Sequence, residues 1–178
     1  IDLLSQAEHD EQAQAILLTN DLELAQNVQI SIEKFLNELP RSKIASSSWN
    51  DFGSIILFEN MDEAIELVNE IAPEHLQLMT SNTENLLKKI KNAGAIFIGH
   101  FTPEAVGDYI AGPNHVLPTN GTAKFSSGLG VLDFCKRTTF VEFNKNNLDA
   151  IGKNVVTLAK AEGLDAHAMS VALRLNNK

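Results

Sequence analysis

The chain has 178 residues, of which 44% are hydrophobic, so it is long enough and apolar enough to bury a sizeable core as one ordinary domain. Asp and Glu number 23 against 14 Lys and Arg, which gives a formal net charge of -9 and argues against a nucleic-acid partner. Its apolar runs are too short to span a membrane and no signal peptide opens it, so we expect a soluble, cytoplasmic protein without a membrane partner. The single cysteine, Cys135, excludes an intrachain disulfide and a thiolate zinc site.

Helical and strand patterns alternate through residues 1–145, which predicts an α/β fold. Ala15–Thr19 is a short, nearly all-apolar run that is typical of a strand covered on both faces. Asn20 or Asp21 could cap the helix that follows, and Pro40 would help to stop it. The apolar positions of that helix are Leu24, Val28, Phe35 and Leu39.

Two polar residues follow the next predicted strand and helix. Ser54–Phe58 predicts the strand and Met61–Ile71 an amphipathic helix. Ala72-Pro73 breaks this helix just before Glu74 and His75. An adjacent carboxylate and imidazole at an element boundary offer two proton-transfer groups for successive steps. The alternative is that they only cap or terminate the helix.

Capping signals predict the following elements. Ser81-x-x-Glu84 is a capping-box pattern, and Gly94 can close the helix that it starts. Ala95–Ile98 predicts a third strand. Thr102-Pro103 then indicates an N-cap followed by a first-turn proline.

Residues 107–130 are rich in Gly and Pro and poor in charge, which predicts a long ordered loop of the kind that is often functional. Asp108 and His115 lie in it, and their carboxylate and imidazole could face one ligand. A carboxylate combined with imidazoles and an amide suits zinc better than calcium. The alternative is that Asp108 bonds backbone amides of the loop and His115 fills a polar pocket.

The C-terminal part has a different pattern. Thr138–Phe143 predicts a last strand, after which apolar residues at helical spacing predict two helices. Gly163 would end the first helix and Asp165 cap the second. We therefore expect an α/β domain at residues 1–145 and a helical tail at residues 146–178. The narrow apolar stripe of the tail indicates that it packs on the α/β domain or on another subunit.

Other polar residues are candidates through their spacing. Gln6 and His9 stand three residues apart near the start of a helical pattern, so their side chains could converge on a cation. The alternative is that His9 is a solvated histidine in an acidic run. His167 lies in the first turn of the last helix and Glu162 just before the turn, and each taken singly is expected to be exposed. No Gly-x-Gly-x-x-Gly, P-loop or Gly-x-Ser-x-Gly motif supports a nucleotide-phosphate cradle or a triad hydrolase.

Six groups of residues, taken together and in this order, resemble the histidinol dehydrogenase family almost from end to end. They are Gln6-Ala-Glu-His9-Asp10, Ala72-Pro-Glu-His75-Leu76, Gly107-Asp-Tyr109 with Ala111-Gly-Pro-Asn-His-Val-Leu-Pro-Thr119, Phe125-Ser-Ser-Gly128, Asp133-Phe134 and Ala161-Glu-Gly-Leu-Asp-Ala-His167. The string that ends at Thr119 is the most specific of them. The resemblance implies an incomplete Rossmann-like parallel-sheet domain followed by a helical hairpin tail.

The resemblance further implies a zinc-dependent enzyme of histidine biosynthesis that oxidises L-histidinol to L-histidine through the aldehyde, with two NAD molecules as hydride acceptors. The zinc ligands that it implies are Gln6, His9, Asp108 and His167. His75 would take the alcohol proton, and Glu74 would activate the water that attacks the aldehyde. His75, His115 and Glu162 would contact the substrate alongside the metal ligands. The active site would lie at a homodimer interface, where the tail supplies its histidine to the other subunit.

Members of this family are more than twice as long as this chain, so the resemblance implies a C-terminal portion that lacks most of the NAD-binding surface. We therefore expect that this polypeptide alone has no dehydrogenase activity. The leading alternative is a non-enzymatic α/β module that binds a metal or small ligand with the same His, Asp and Gln side chains. A third interpretation is a structural and dimerisation piece with an empty metal site.

Overall fold

The structure is a computed structural model, and it describes residues 1–176. The chain divides into two compact units, one of Ile1–Phe134 and one that begins at Cys135. The first unit alternates short strands with helices, and the second contains two helices. This mixed α/β architecture, with parallel strand pairs and a terminal pair of helices, confirms the predicted fold class.

The elements of the first unit are α1 (Asp2–Ala7), β1 (Ile16–Thr19), α2 (Leu22–Leu36), α3 (Ser42–Phe52), β2 (Ser54–Leu57), α4 (Met61–Ile71), β3 (His75–Leu78), α5 (Thr83–Leu87), β4 (Ala95–Ile98) and α6 (Glu104–Tyr109). Two short 3-10 helices, Thr122–Lys124 and Val131–Phe134, follow in the long loop. The second unit contains α7 (Lys145–Ala161) and α8 (Asp165–Asn176). Among the described residues, no helix is long and apolar enough to cross a membrane.

The strands of the first unit form two parallel pairs. β1 pairs with β2, with Ile16 opposite Ser54, and β3 pairs with β4, with His75 opposite Ala95. A parallel pair needs a crossover connection. The crossover includes α2 and α3 in the first pair and α5 in the second.

A buried cluster holds the β1–β2 region together. Its members are Leu4, Ala7, Ala15, Ile32, Ala45 and Trp49, contributed mainly by α1, α2 and α3. α2 begins as predicted after Asp21, whose carboxylate accepts a hydrogen bond from the backbone N–H of Leu24 at 3.0 Å. The buried hydroxyl of Ser48 donates to the Ala13 carbonyl at 2.7 Å, so this polar group is satisfied inside the cluster.

The structure differs from the predicted pattern at two points in residues 37–52. α2 ends at Leu36, before the predicted stop at Leu39 and Pro40, because the Asn37 side chain bonds back into the helix and closes its last turn. A further helix, α3, occupies Ser42–Phe52, where none is predicted. Its serines are poor helix formers, and the burial of Trp49 in the core overrides that weak preference.

The predicted capping box at Ser81 is wrong. α5 begins at Thr83, after Asn82, whose side chain makes no capping hydrogen bond. The Thr83 hydroxyl instead donates to the Thr80 carbonyl at 3.0 Å, and such local side-chain bonds compete with helix capping. The helix also ends early, at Leu87 rather than at the predicted glycine.

The start of α6 differs from its prediction as well. Thr102 is not the N-cap, because its hydroxyl donates to the Ile98 carbonyl at 2.8 Å. Pro103 takes the N-cap position, and the helix begins at Glu104. Glu104 and Asp108 are therefore four residues apart in one short helix, a spacing that places both side chains on one face.

The predicted strand at Thr138–Phe143 is wrong. The segment has no regular secondary structure, and Phe140 is 91% exposed. β-branched and aromatic residues form a strand only where a neighbouring strand offers pairing and a packing surface. The composition of this segment is typical of a strand, but it is not sufficient by itself to form one.

The two predicted helices of the C-terminal part are present and pack on each other. Gly163 has a left-handed conformation, with φ of 73°, in the turn between α7 and α8. A Cβ at Gly152 would lie 2.9 Å from the Leu175 side chain, so the two helices approach closely at that point. α8 begins at Asp165 itself, the residue predicted to cap it.

Candidate active site

His75 is held at the start of β3 by the backbone around it. Ala72, with φ of 51°, turns the chain out of α4 in a left-handed conformation. The backbone N–H of Ala95 then donates to the Glu74 carbonyl at 2.8 Å. A Cβ at Gly94 would lie 2.5 Å from the same carbonyl oxygen, so this close approach requires glycine. Gly94 thus serves the junction of β3 and β4 rather than the end of a helix.

α6 brings two carboxylates to His75. An added Cβ at Gly107 would come within 2.4 Å of the Phe97 ring, so α6 packs directly on β4 at this point. The ring of His75 is also a neighbour of Phe97, with 5.9 Å between the ring centroids. Glu104 and Asp108 belong to the same helix, and a carboxylate oxygen of each lies within 4.8 Å of a ring nitrogen of His75.

The distances define a small cluster of acid–base groups. His75 Nε2 is 3.6 Å from Glu104 Oε1, and Asp108 Oδ1 is 3.3 Å from His115 Nδ1. One nitrogen or oxygen from each of His75, Glu104 and Asp108 lies within 4.8 Å of the others. The exposed fractions of the three side chains are 18%, 13% and 15%, against 53% for His115. Three of the four groups are therefore largely shielded from water.

Burial lowers the pKa of His75 below its ordinary 6.5, because a charged imidazolium loses hydration at this position. The negative charges of Glu74 and Asp108 oppose this change in pKa. The positive charges of His115 and His9 add to it. The imidazole of His75 is therefore uncharged near neutral pH and has a nitrogen free to accept a proton.

Burial is also the first cause that raises the pKa of Glu104, from 4.5 to about 7. A hydrogen bond with Asp108 raises it further, as do the negative charges of Asp108, Glu74 and Asp2. A carboxyl that titrates near neutral pH beside an uncharged imidazole is typical of an acid–base site.

Most of the predicted first-unit residues lie in this environment. Glu74, His75, Asp108 and His115 belong to it, and His9 is close enough for its charge to act on His75. Nitrogen and oxygen donors are thus concentrated here, which is the donor chemistry that zinc and similar cations accept.

Of Gln6 and His9, only Gln6 lies within α1. α1 ends at Ala7, and His9 lies exposed in the turn after it, where its backbone N–H donates to the Gln6 carbonyl at 3.2 Å. The Asp10 carboxylate accepts a hydrogen bond from the Gln12 backbone at 2.8 Å, which favours a turn over continuation of the helix. The assignment of both residues as metal ligands stays a prediction.

The two predicted site residues of the second unit are exposed, as each taken singly is expected to be. His167 lies in α8, and Glu162 is the C-cap of α7. Their assignments, His167 as a zinc ligand and Glu162 as a substrate contact, also stay predictions.

Sequence reasoning misses Glu104 and Asp2. The spacing of Glu104 to Asp108 was the available signal, but two carboxylates at that spacing are more typical of a solvated helix face. Asp2 gives no local signal, because its partner is distant in sequence: Gln77 Nε2 donates to its carboxylate at 2.8 Å. This bond joins α1 to β3, the strand that carries His75.

Comparisons with known proteins identify the family of the chain. A family model described as histidinol dehydrogenase matches residues 1–175. The histidinol dehydrogenases of Nitrobacter winogradskyi and Gluconobacter oxydans are 57% and 55% identical to the chain over 175 residues, which is 98% of this chain and 41% of each relative. The crystal structure of histidinol dehydrogenase from Elizabethkingia anophelis has a TM-score of 0.82 and 42% identity, covering 98% of this chain and 40% of that one.

The chain thus spans about two fifths of the length of these relatives. The family model covers residues 1–175, and the structural match covers 98% of this chain. The chain belongs to the histidinol dehydrogenase family.

Proposed function

We propose that this chain forms the part of a histidinol dehydrogenase that binds zinc and L-histidinol. The whole enzyme would oxidise L-histidinol to L-histidine through L-histidinaldehyde, in histidine biosynthesis in the cytoplasm, with two NAD molecules as hydride acceptors. The observation that carries the proposal is the shielded cluster of His75, Glu104 and Asp108, next to Glu74, in a chain of this family.

His75 would be the base that takes the proton of the alcohol. Its burial supports this role, because an uncharged imidazole at neutral pH can accept a proton without first losing one. Glu74 would activate the water that attacks the aldehyde in the second oxidation. Its carboxylate is close enough for its charge to act on both His75 and Glu104.

Zinc would be held by nitrogen and oxygen donors of Gln6, His9, Asp108 and His167. The donor chemistry fits, because the Asp108 carboxylate is largely shielded and shares its surroundings with imidazole groups. When bound, zinc would supply a positive charge that holds the amino alcohol in position. His75, His115 and Glu162 would contact the substrate beside the ligands, and His115 already lies against Asp108.

The remaining parts of the proposal concern the whole enzyme. It would be a homodimer in which residues 1–145 bind substrate and zinc while the helical tail, residues 146–178, contributes His167 to the other subunit's site. Because the chain spans about two fifths of its relatives, we expect most NAD contacts to come from the rest of their length. Purified alone, this chain should produce no NADH from L-histidinol, and steady NADH production would contradict that expectation.

Calorimetric titration of the purified chain with zinc tests the metal site directly. We expect about one zinc per chain, tighter binding in the presence of L-histidinol, and loss of binding in His9→Ala and His167→Ala. His100→Ala is the matched control, because His100 is exposed and lies outside the motifs that carry the resemblance. Zinc binding that survives both ligand substitutions would contradict the assignment, and no binding at all would show that this chain does not hold the metal by itself.

A further inference from the structure

The two ring nitrogens of His75 are not equivalent. In the part of the chain that the structure describes, Nε2 is the one buried side-chain nitrogen or oxygen without a hydrogen-bond partner. Leaving such a buried group unpaired is unfavourable, so a neighbouring group able to pair with it is of particular interest. Glu104 Oε1 lies 3.6 Å from Nε2, a few tenths of an ångström beyond a hydrogen bond.

Glu104 is better placed for this contact than Asp108. One carboxylate oxygen of Asp108 already lies 3.3 Å from His115 Nδ1, and Asp108 also shares a hydrogen bond with Glu104. Hydrogen bonds between catalytic groups are often long before substrate is bound and shorten in the complex. A small movement of the Glu104 side chain is enough to close the remaining gap.

We propose that Glu104 is a positioning residue for His75. Its carboxylate accepts the hydrogen bond of Nε2–H, which orients the ring and leaves Nδ1 as the nitrogen that accepts a proton. A carboxylate that holds an imidazole in one tautomer has this effect in other enzymes as well. Phe97, whose ring centroid lies 5.9 Å from that of His75, restricts the ring from another side.

The catalytic role of the His75–Glu104 contact rests on the proposed function, in which His75 is the base. The tautomer of His75 does not depend on that function, because it is a property of the chain without metal, substrate or NAD. Zinc titration and the tautomer measurement can therefore fail separately, and each failure identifies the proposal that it contradicts.

Nitrogen-15 NMR of the metal-free chain at pH 9 tests the inference. At that pH carboxyl groups are ionised and imidazole rings are uncharged. Long-range proton–nitrogen correlations distinguish the two tautomers of a histidine. The signals of His75 among the five histidines are identified by their loss in His75→Asn.

We expect the proton on Nε2, with a downfield resonance that reports a hydrogen bond to a carboxylate. Glu104→Leu should abolish that downfield shift, and Glu104→Asp, which keeps the carboxylate, should restore most of it. Glu66→Leu, an exposed position on α4, is the matched control and should leave the His75 signals unchanged. The proposal is overturned if the parent chain carries the proton on Nδ1, a result that requires no variant to fold. It is equally overturned if the downfield resonance persists in a folded Glu104→Leu chain.

Discussion

The β1–β2 pair and the β3–β4 pair have the same length and the same parallel pairing, but different side chains pack around them. Around β1 and β2 lie Leu4, Ile32 and Trp49, all buried and apolar. Beside β3 and β4 lie the shielded polar side chains of His75, Glu104 and Asp108, and Phe97 of β4 packs against α6. The comparison indicates that the side chains around the first pair stabilise the fold, whereas the burial of polar groups beside the second pair costs folding free energy.

Replacement of a side chain in the apolar cluster should have the largest effect on stability. Ile32 is 2% exposed in α2, whereas Ile30 in the same helix is 65% exposed. Ile32→Ala should lower the free energy of unfolding by about 2–5 kcal/mol, since it removes buried atoms and leaves a cavity. Ile30→Ala should change it by less than about 0.5 kcal/mol. Urea denaturation measures both values, and equal losses would contradict the assignment of the core.

The packing of α6 on β4 can be broken without touching a charged group. Gly107→Ala should lower the free energy of unfolding by about 1–2 kcal/mol, because the new Cβ collides with the Phe97 ring. Gly130→Ala is the control, since its Cβ would have only an ordinary contact at 3.8 Å. The His75 signals should move in the first variant only. A Gly107→Ala chain with parent stability and unchanged His75 signals would show that the close packing is not present in solution.

Glu104→Gln should change how the free energy of unfolding depends on pH. Because the pKa of Glu104 is raised to about 7 in the folded chain, the folded state keeps a proton that the unfolded state releases from about pH 4.5. The stability that this group contributes is complete below pH 4.5 and is lost as the pH rises to about 7. Gln resembles the protonated carboxyl, so the variant should match the parent near pH 4 and exceed it at pH 8. Solvent screening keeps the gain to about 1 kcal/mol.

The measurement is urea denaturation in the presence of a chelator, at several pH values, for both chains. The pKa of His75 is shifted in the opposite direction, so its contribution is present at high pH and is lost as the pH falls below 6.5. The difference between parent and variant at each pH separates the contribution of Glu104 to the free energy of unfolding from that of His75. A difference that stays constant from pH 4 to 8 would contradict the raised pKa of Glu104.

The smallest expected effect concerns the link between α1 and β3. The hydrogen bond from Gln77 to Asp2 at 2.8 Å should contribute about 1 kcal/mol, since it is half-buried and one partner is charged. A double-mutant cycle with Asp2→Ala and Gln77→Ala measures the coupling between the two side chains. Strictly additive losses would show that the bond contributes nothing to stability.

Much of the fold could be predicted because hydrophobic patterns are local. Met61–Ile71 is a helix with the bounds predicted from its amphipathic pattern, and the short apolar runs at β1, β2 and β4 are strands. α3 could not be predicted in this way, because its formation depends on the burial of Trp49 by distant residues. Thr138–Phe143 shows the reverse case, in which a local preference for strand has no neighbouring strand to satisfy it.

The candidate site was predictable to the extent that its residues occur in recognisable strings. Glu74 and His75 at an element boundary were found by residue type and position. So were Asp108 and His115, although Asp108 lies in α6 and not in the predicted loop. Glu104 was not, because its role depends on α6 packing against β4, which no local pattern reports. Sequence motifs thus identify donors, whereas the groups that hold those donors in place emerge only from the fold.

Ala72 links the end of α4 to the site in a way that also affects the unfolded chain. A left-handed turn usually takes glycine, and alanine there costs the native state about 1 kcal/mol of backbone strain. The methyl group of Ala72 is fully buried, which offsets part of that cost. Alanine also gives the denatured ensemble fewer conformations than glycine would, so less entropy is lost when the chain folds. The turn that precedes β3 is therefore maintained by burial and by restriction of the denatured state, without the flexibility that glycine would introduce beside His75.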